Sequence, residues 1–130
     1  HKILYRPVSA SLFLLGGFTW ILNTPEMQAE CYDAGGNFSG KIKLKTDQPG
    51  LGRWTKDVLT DLTDGKVFTT YIRNGRYSLY EIDLNTGALK HRVDLEHLFP
   101  EKIKVYNGWV YYLYDVDSSA DNKVLYRQKF

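Results

Sequence analysis

Glycine-containing turns recur along this chain at a nearly regular distance, and they constrain its fold more than any other feature. Each of three turns follows a short strand-like segment, and the glycines Gly17, Gly65 and Gly108 are 48 and 43 residues apart. A period of roughly 20–50 residues is typical of folds assembled from similar supersecondary units. The spacing therefore predicts about three such units in a chain of 130 residues.

The clearest unit spans residues 55–95 and contains four strand-like segments joined by tight turns. The turns carry Asp64-Gly65, Asn74-Gly75 and Asn85-Thr86-Gly87, and glycine or asparagine accepts the positive φ that a tight hairpin needs. Strands joined in this way predict a four-stranded antiparallel meander. The predicted strands cover residues 57–62, 66–73, 76–84 and 88–95.

Similar patterns precede and follow this unit, whereas amphipathic helix patterns are nearly absent. We predict an all-β domain over residues 1–130, with units at residues 9–46, 55–95 and 101–130. The last unit has no fourth strand after Phe130, and residues 1–8 are predicted as an additional strand, because Lys2–Arg6 is similar in sequence to Lys123–Arg127. The remaining predicted strands cover residues 9–15, 18–23, 29–33, 38–45, 102–106, 109–115 and 123–130.

Composition argues against several classes of protein. A net charge of +2, with acids and bases interspersed, gives no concentrated basic field for nucleic acid. Cys31 is the single cysteine, so no internal disulfide forms. No uninterrupted apolar stretch approaches the roughly 20 residues of a membrane-spanning helix. Aromatic residues make up 15% of the chain, and they favour strands.

Two strand patterns predict where their strands lie. Residues 109–114, with the sequence Trp-Val-Tyr-Tyr-Leu-Tyr, are apolar or aromatic on both alternating faces, which is typical of a strand covered on both sides. Residues 41–45 alternate lysine with isoleucine and leucine, and lysine on one face discourages edge-to-edge pairing. We therefore predict that this second segment is the outermost strand of its sheet.

Three segments carry a resemblance to a known family. Residues 32–42 (YDAGGNFSGKI) and 47–52 (DQPGLG) are similar to the turn between third and fourth strands and to the blade linker of six-bladed, NHL-like β-propellers. Residues 99–111 (FPEKIKVYNGWVY) fit the same style of repeat. The resemblance extends over most of residues 9–130 and is closest to propeller proteins common in Bacteroidetes bacteria, many of them exported. It implies that each unit is a blade.

Three blades do not close a ring, because closed propellers have at least four. The resemblance therefore implies a partial propeller: either a piece of a longer propeller chain, or half of a six-bladed homodimer. It also implies an exported protein, periplasmic or extracellular. An alternative interpretation of residues 1–29 is a signal peptide, with Lys2 and Arg6 before an apolar run and Ala29 at the cleavage position.

Candidate ligand-binding residues lie near turns and on aromatic strands. Arg73, Arg76 and Tyr77 flank the Asn74-Gly75 turn, and loops carry much of the function of rigid folds. Trp109 and Tyr111 offer rings that stack on sugars or anchor a protein partner. Acids for glycoside hydrolysis exist, but nothing in the sequence selects a pair. The candidate acids are Glu26, Glu30, Asp33, Asp57 and Asp61.

A loop rich in aspartate gives the leading candidate metal site, because for the other candidate, zinc at His91 and His97, nothing in the sequence predicts that the ligands converge. Asp115, Asp117 and Asp121 are closely spaced oxygen ligands of the kind that calcium prefers. Ala120 and Tyr126, however, replace the glycine and glutamate of a calcium loop, and a solvated hairpin loop explains the same residues. We predict no cofactor, with calcium at this loop as the alternative.

No nucleophile elbow, phosphate-binding loop or dinucleotide-binding motif is present. The leading hypothesis is therefore a non-enzymatic binding or scaffold module, with a protein or carbohydrate ligand. The alternative is a propeller hydrolase or lyase, with acids or a metal at the central channel. A purely structural part of a larger chain is a third hypothesis.

Overall fold

Eleven β-strands make up the regular structure of the computed structural model, which describes residues 11–23, 25–46, 50–117 and 122–130. Over these ranges there is no helix, and hence none long and apolar enough to cross a membrane. The all-β prediction is confirmed. The strands are β1 (Ser11–Leu15), β2 (Phe18–Asn23), β3 (Gln28–Tyr32), β4 (Phe38–Lys43), β5 (Arg53–Asp61), β6 (Lys66–Arg73), β7 (Arg76–Ile82), β8 (Leu89–Asp94), β9 (Glu101–Tyr106), β10 (Trp109–Asp115) and β11 (Lys123–Lys129).

The strands form three antiparallel meanders that follow chain order. The first sheet contains β1 to β4, the second contains β5 to β8, and the third contains β9 to β11. Each strand therefore pairs with its sequence neighbour, as hairpin connections require. The additional strand predicted at residues 1–8 lies outside the described residues.

Three of the predicted turns are two-residue hairpin loops, one at Gly16-Gly17 and two with the sequence Asn-Gly. Asn74 and Gly75 have φ of 51° and 81°, and Arg73 pairs with Arg76 directly across the loop. Asn107 and Gly108 have φ of 50° and 78°. Positive φ at both central positions matches the right-handed twist of the flanking strands, which explains the Asn-Gly sequence at both sites.

β5 begins at Arg53, earlier than the predicted start at Asp57. The register between β5 and β6 shifts between Trp54 and Val58, and Lys56 has a φ of 67°. A bulge of this kind lets the strand continue while it breaks the alternation of side chains. The sequence pattern therefore failed to include the first part of the strand.

Two apolar cores lie on opposite faces of the second sheet. Val67 belongs to the core shared with the first sheet, whereas its neighbour Phe68 belongs to the core shared with the third. Successive side chains of a strand point to opposite faces, so β6 contributes to both. The first core includes Phe13, Leu22, Ala29, Leu44, Val67 and Ile82, and the second includes Phe68, Leu79, Leu95, Val105, Val110 and Tyr112.

The first strands of the three meanders lie side by side, because β5 contacts β1 on one side and β9 on the other. Asp61, the last residue of β5, is completely buried and reinforces the contact with the third sheet. Its carboxylate accepts hydrogen bonds from the backbone N–H groups of Asn107 (3.0 Å) and Gly108 (2.8 Å). The second and third sheets are thus joined through a polar contact as well as an apolar core.

The lysine-rich strand lies where the alternation predicted. Among the described strands β4 pairs only with β3, and Lys41 and Lys43 are exposed. In β10, Val110 and Tyr112 are fully buried against the second sheet, while Trp109 and Tyr111 on the other face are half-buried. Within the described chain, the third sheet is therefore covered by another sheet on one face.

Candidate functional site

Three connecting segments meet at one end of the second sheet, which we call the loop end: the β6–β7 turn at Asn74-Gly75, residues 50–52 and residues 95–100. The Phe99 backbone N–H donates to the Gly75 carbonyl oxygen over 2.7 Å. The Arg73 Nη2 donates to the Gly50 carbonyl oxygen over 2.6 Å. These bonds hold the two linkers against the hairpin, so the loop end is a single surface.

A cleft of about 270 Å³ opens at the loop end, and we call it the arginine cleft. Arg73 and Arg76 line it from opposite strands of one hairpin, as the cross-strand register requires, and Arg92 joins them from β8. Its lining is completed by Gly50, Leu51, Asn74, Ser78 and Leu98.

Backbone carbonyls hold two of the guanidinium groups. Arg76 Nη1 donates to the Leu95 carbonyl oxygen over 2.8 Å, and Arg73 is held in the same way by Gly50. Neither arginine forms an ion pair with any carboxylate in the described ranges of the chain. Each guanidinium carries five N–H donors, so donors remain after these backbone bonds are made.

Arg92 differs from the other two arginines because its charge is balanced. Its Nε donates to Asp94 Oδ1 over 2.8 Å, and Ser78 Oγ donates to the same oxygen over 2.7 Å. The hydrogen bond from Arg92, followed by that from Ser78, lowers the pKa of Asp94. Asp94 therefore stays ionised, and the excess positive charge of the cleft comes from Arg73 and Arg76.

A second cleft of about 430 Å³ adjoins the first, and we call it the histidine cleft. Leu98, which is 47% exposed, lines both clefts and separates them. The His97 imidazole stacks on the Tyr114 ring with centroids 3.7 Å apart. The remaining lining residues are Phe99, Asp115, Val116 and Asp117.

A partly buried hydrogen-bond network holds His97 in place. His97 Nδ1 lies 2.8 Å from the hydroxyl oxygen of Tyr112, and that hydroxyl donates to Gln128 Oε1 over 3.3 Å. Burial raises the pKa of Tyr112, so the phenol stays protonated. Tyr126 donates to Glu96 over 2.5 Å, and this bond raises its pKa as well. His97, which lines the histidine cleft, is therefore held by aromatic residues that lie outside the cleft.

The structure brings together only part of the predicted ligand site. Tyr77 points to the opposite face of β7 from Arg76 and lines a separate cleft between the second and third sheets, together with Asp57. Trp109 lies at the other end of β10 from the histidine cleft, where the Arg127 guanidinium is 4.3 Å from its ring centroid. Tyr111 follows it on the same face, two residues further along β10.

The candidate acids and metal ligands also separate. Asp61 uses its carboxylate within the fold, and Asp33 accepts bonds from its own turn at Gly35 and Asn37. Asp115 and Asp117 line the histidine cleft, whereas Asp121 lies outside the described residues. Over the described ranges, no three His, Cys, Asp or Glu side chains are grouped to hold a metal ion.

Comparison with known proteins gives no assignment. No protein-family model matches this chain, and no curated protein has significant similarity to it. The loop end must therefore be interpreted from its own residues.

Sequence reasoning missed Arg92, Ser78 and Leu98 as lining residues. Ser78 and Asp94 pair across β7 and β8, and the register shift that follows Leu79 sets where Arg92 falls. The signal for Ser78 was its position two residues from Arg76 on the same face of a strand. Arg92 lies beyond an irregular stretch of the ladder, where alternation no longer predicts the face.

Proposed function

We propose that this chain is a non-enzymatic binding module, built as part of a β-propeller, whose ligand docks at the loop end. The observation that carries this proposal is the pair of adjoining clefts that share Leu98. Concave sites with a few convergent polar groups are the usual place for ligands. The arginines on one side and the stacked His97 and Tyr114 on the other supply both polar and aromatic contacts.

The test is an NMR titration of the ¹⁵N-labelled chain with a panel of neutral and acidic oligosaccharides. We expect saturable shifts in the amides of residues 50–52, 73–78 and 95–99. Leu98→Ala removes the side chain common to both clefts and should weaken binding several-fold. Leu62→Ala, at an exposed site in the β5–β6 turn, is the matched control. Shifts confined to other regions, or equal affinity of the two variants, would contradict the proposal.

The proposal includes further sheets that cover the outer faces of this chain. Phe13 packs toward the second sheet, so its neighbours Leu12 and Leu14 face away and are 63% and 64% exposed. Leu125, beside the inward-facing Tyr126, is 66% exposed on the far face of the third sheet. Partner sheets would come from a second copy or from the remainder of a longer, exported chain. Measurement of the solution mass tests this, because a stable folded monomer contradicts it.

One observation favours the enzymatic alternative, a propeller hydrolase or lyase: His97, Asp115 and Asp117 line the same cleft. Both residue types serve as general acids and bases. The two functions differ in whether the bound oligosaccharide is changed. Incubation of the same panel with the protein, followed by mass spectrometry, distinguishes them. Intact sugars support the binding module, and cleavage that His97→Gln abolishes would support the enzyme.

A further inference from the structure

We infer that the arginine cleft recognises a carboxylate, and that its ligand is a sugar acid such as a hexuronate. This inference rests on the proposed function, because it names the ligand class of the loop end. It depends on three features of the cleft: the placement of two guanidinium groups, an unbalanced charge, and a small volume with apolar walls.

The guanidinium groups are placed before any ligand binds. Arg73 and Arg76 are directly opposite in the β6–β7 register, so they reach the cleft from adjacent strands. Each is fixed by a backbone carbonyl, that of Gly50 or that of Leu95. A planar guanidinium matches the geometry of a carboxylate, and less side-chain freedom is lost when it is already held. One carboxylate between the two arginines would accept a charge-assisted hydrogen bond from each.

The charge of the cleft is not neutralised by its own residues. Asp94 pairs with Arg92 and its charge also acts on Arg76, and the described residues that line the cleft include three arginines and no Asp or Glu. The adjoining histidine cleft, by contrast, is lined by Asp115 and Asp117. A ligand that spans both clefts therefore meets the three arginines on one side and two aspartates on the other, and its acidic group is directed to the arginine side.

The volume and walls favour a sugar ring over a larger group. The cleft volume of about 270 Å³ is slightly smaller than that of most ligand pockets, which hold roughly 300–1,000 Å³. Leu51 and Leu98 offer apolar contact for the C–H face of a ring, while Asn74 and Ser78 offer polar partners for hydroxyl groups. A guanidinium group matches phosphate as well as carboxylate, but inorganic phosphate has no ring to contact these walls. A ring that carries a carboxylate is therefore the better match.

The experiment compares glucuronate with glucose, which has the same ring without the carboxylate, by NMR titration of the loop-end amides. Glucuronate should bind roughly tenfold or more tightly than glucose, because two charge-assisted hydrogen bonds are lost with the acid. The Arg73→Gln/Arg76→Gln variant should bind glucuronate more weakly by the same factor. Raising NaCl from about 50 to about 500 mM should also weaken the binding of glucuronate to the unmodified chain. Inorganic phosphate is the third probe and should bind more weakly than glucuronate.

Two further variants test whether the effect of the arginine substitutions comes from net charge alone or from the guanidinium groups of the cleft. Lys41→Gln/Lys43→Gln removes two positive charges from the edge of the first sheet and should bind glucuronate as the unmodified chain does. Arg73→Lys/Arg76→Lys keeps the charge without the planar fork and should be intermediate. Equal shifts with glucose and glucuronate, independent of the arginines, would overturn the carboxylate assignment and leave the loop-end proposal intact. No response to glucuronate, or tighter binding of phosphate than of glucuronate, would also overturn the carboxylate assignment. The titration with neutral oligosaccharides then tests the loop-end proposal on its own.

Discussion

Asp61 Oδ2 accepts a 2.8 Å hydrogen bond from the backbone N–H of Gly108, and this bond joins the β5–β6 turn to the β9–β10 turn. The same carboxylate accepts from the hydroxyl of Thr63 (2.6 Å) and from the N–H of Asn107 (3.0 Å). One buried side chain thus fixes two neighbouring sheets to each other.

Asp61→Asn should destabilise the chain by roughly 2 kcal/mol. The amide is uncharged and has one acceptor oxygen, whereas the carboxylate is charged and has two. Urea unfolding measures the difference. Asp64→Asn is the control, since Asp64 is exposed in the same turn and should change stability little. Equal effects of the two substitutions would show that the bonds to Asn107 and Gly108 contribute nothing.

The contribution of Asp61 should depend on pH in acid. Burial alone would raise the pKa of Asp61, but hydrogen bonds from Thr63, Gly108, Asn107 and Asp64 outweigh it and lower the pKa to about 2. A lowered pKa in the folded state adds stability above the unfolded value near 4, and the addition is lost as pH falls toward 2.

The difference in unfolding free energy between the unmodified chain and Asp61→Asn should therefore be constant above about pH 5 and shrink by about 2 kcal/mol toward pH 2. Other carboxylates titrate in both proteins and cancel in the difference. A difference that stays constant down to pH 2 would contradict the lowered pKa.

Gly75→Ala should be more harmful than Gly36→Ala. Both glycines have a φ of 81°, so the backbone strain is the same. A Cβ at Gly75 would lie 2.6 Å from the Phe99 ring, whereas nothing lies within 4 Å of one at Gly36. Strain alone costs roughly 1–2 kcal/mol at either site. At Gly75 the Phe99 ring, which is 68% exposed, must also turn aside, and this adds roughly 0.5–1 kcal/mol.

Phe99→Ala provides the internal check for that comparison, because Gly75→Ala in its background has no ring to displace. In the Phe99→Ala background, the stability cost of Gly75→Ala should fall to that of Gly36→Ala. Thermal unfolding of five proteins (the unmodified chain, the three single variants and Gly75→Ala/Phe99→Ala) measures these costs, and an unchanged cost would show that Phe99 does not press on the turn.

Tyr112→Phe should cost about 1 kcal/mol of stability or slightly more, because the hydroxyl links His97 to Gln128 in a fully buried position. Tyr106→Phe, on a residue that is 61% exposed, is the control and should be nearly neutral. The His97 ring should also become less ordered in Tyr112→Phe, which its ¹H–¹³C NMR signals report. Unchanged signals and stability would contradict the network.

The sequence predicted the sheets well because hairpin chemistry is local. Asn74-Gly75 and Asn107-Gly108 each specify a turn from adjacent residues, and the strands beside them begin and end close to the predicted positions. The start of β5 was missed because the bulge at Lys56 interrupts the alternation on which the prediction depends. Ring closure stays a prediction.

The candidate site was harder to predict because its parts are far apart in sequence. Arg73 and Arg76 flank a recognisable turn, but the carbonyl groups that hold them belong to linkers with no pattern of their own. Tyr77 was grouped with them by proximity, although strand alternation turns it to the other face. Adjacency in a strand is thus a poor guide to a shared site.

The position of the second sheet between two cores has a consequence for local opening. Most of β6 and β7 is buried. By contrast, β4 and β8 each have one neighbour among the described strands and a largely exposed surface. Amide hydrogens exchange slowest where release to solvent requires disruption of the whole domain. Deuterium uptake should therefore proceed from the outer strands inward, with Phe68 and Leu79 among the last sites to exchange.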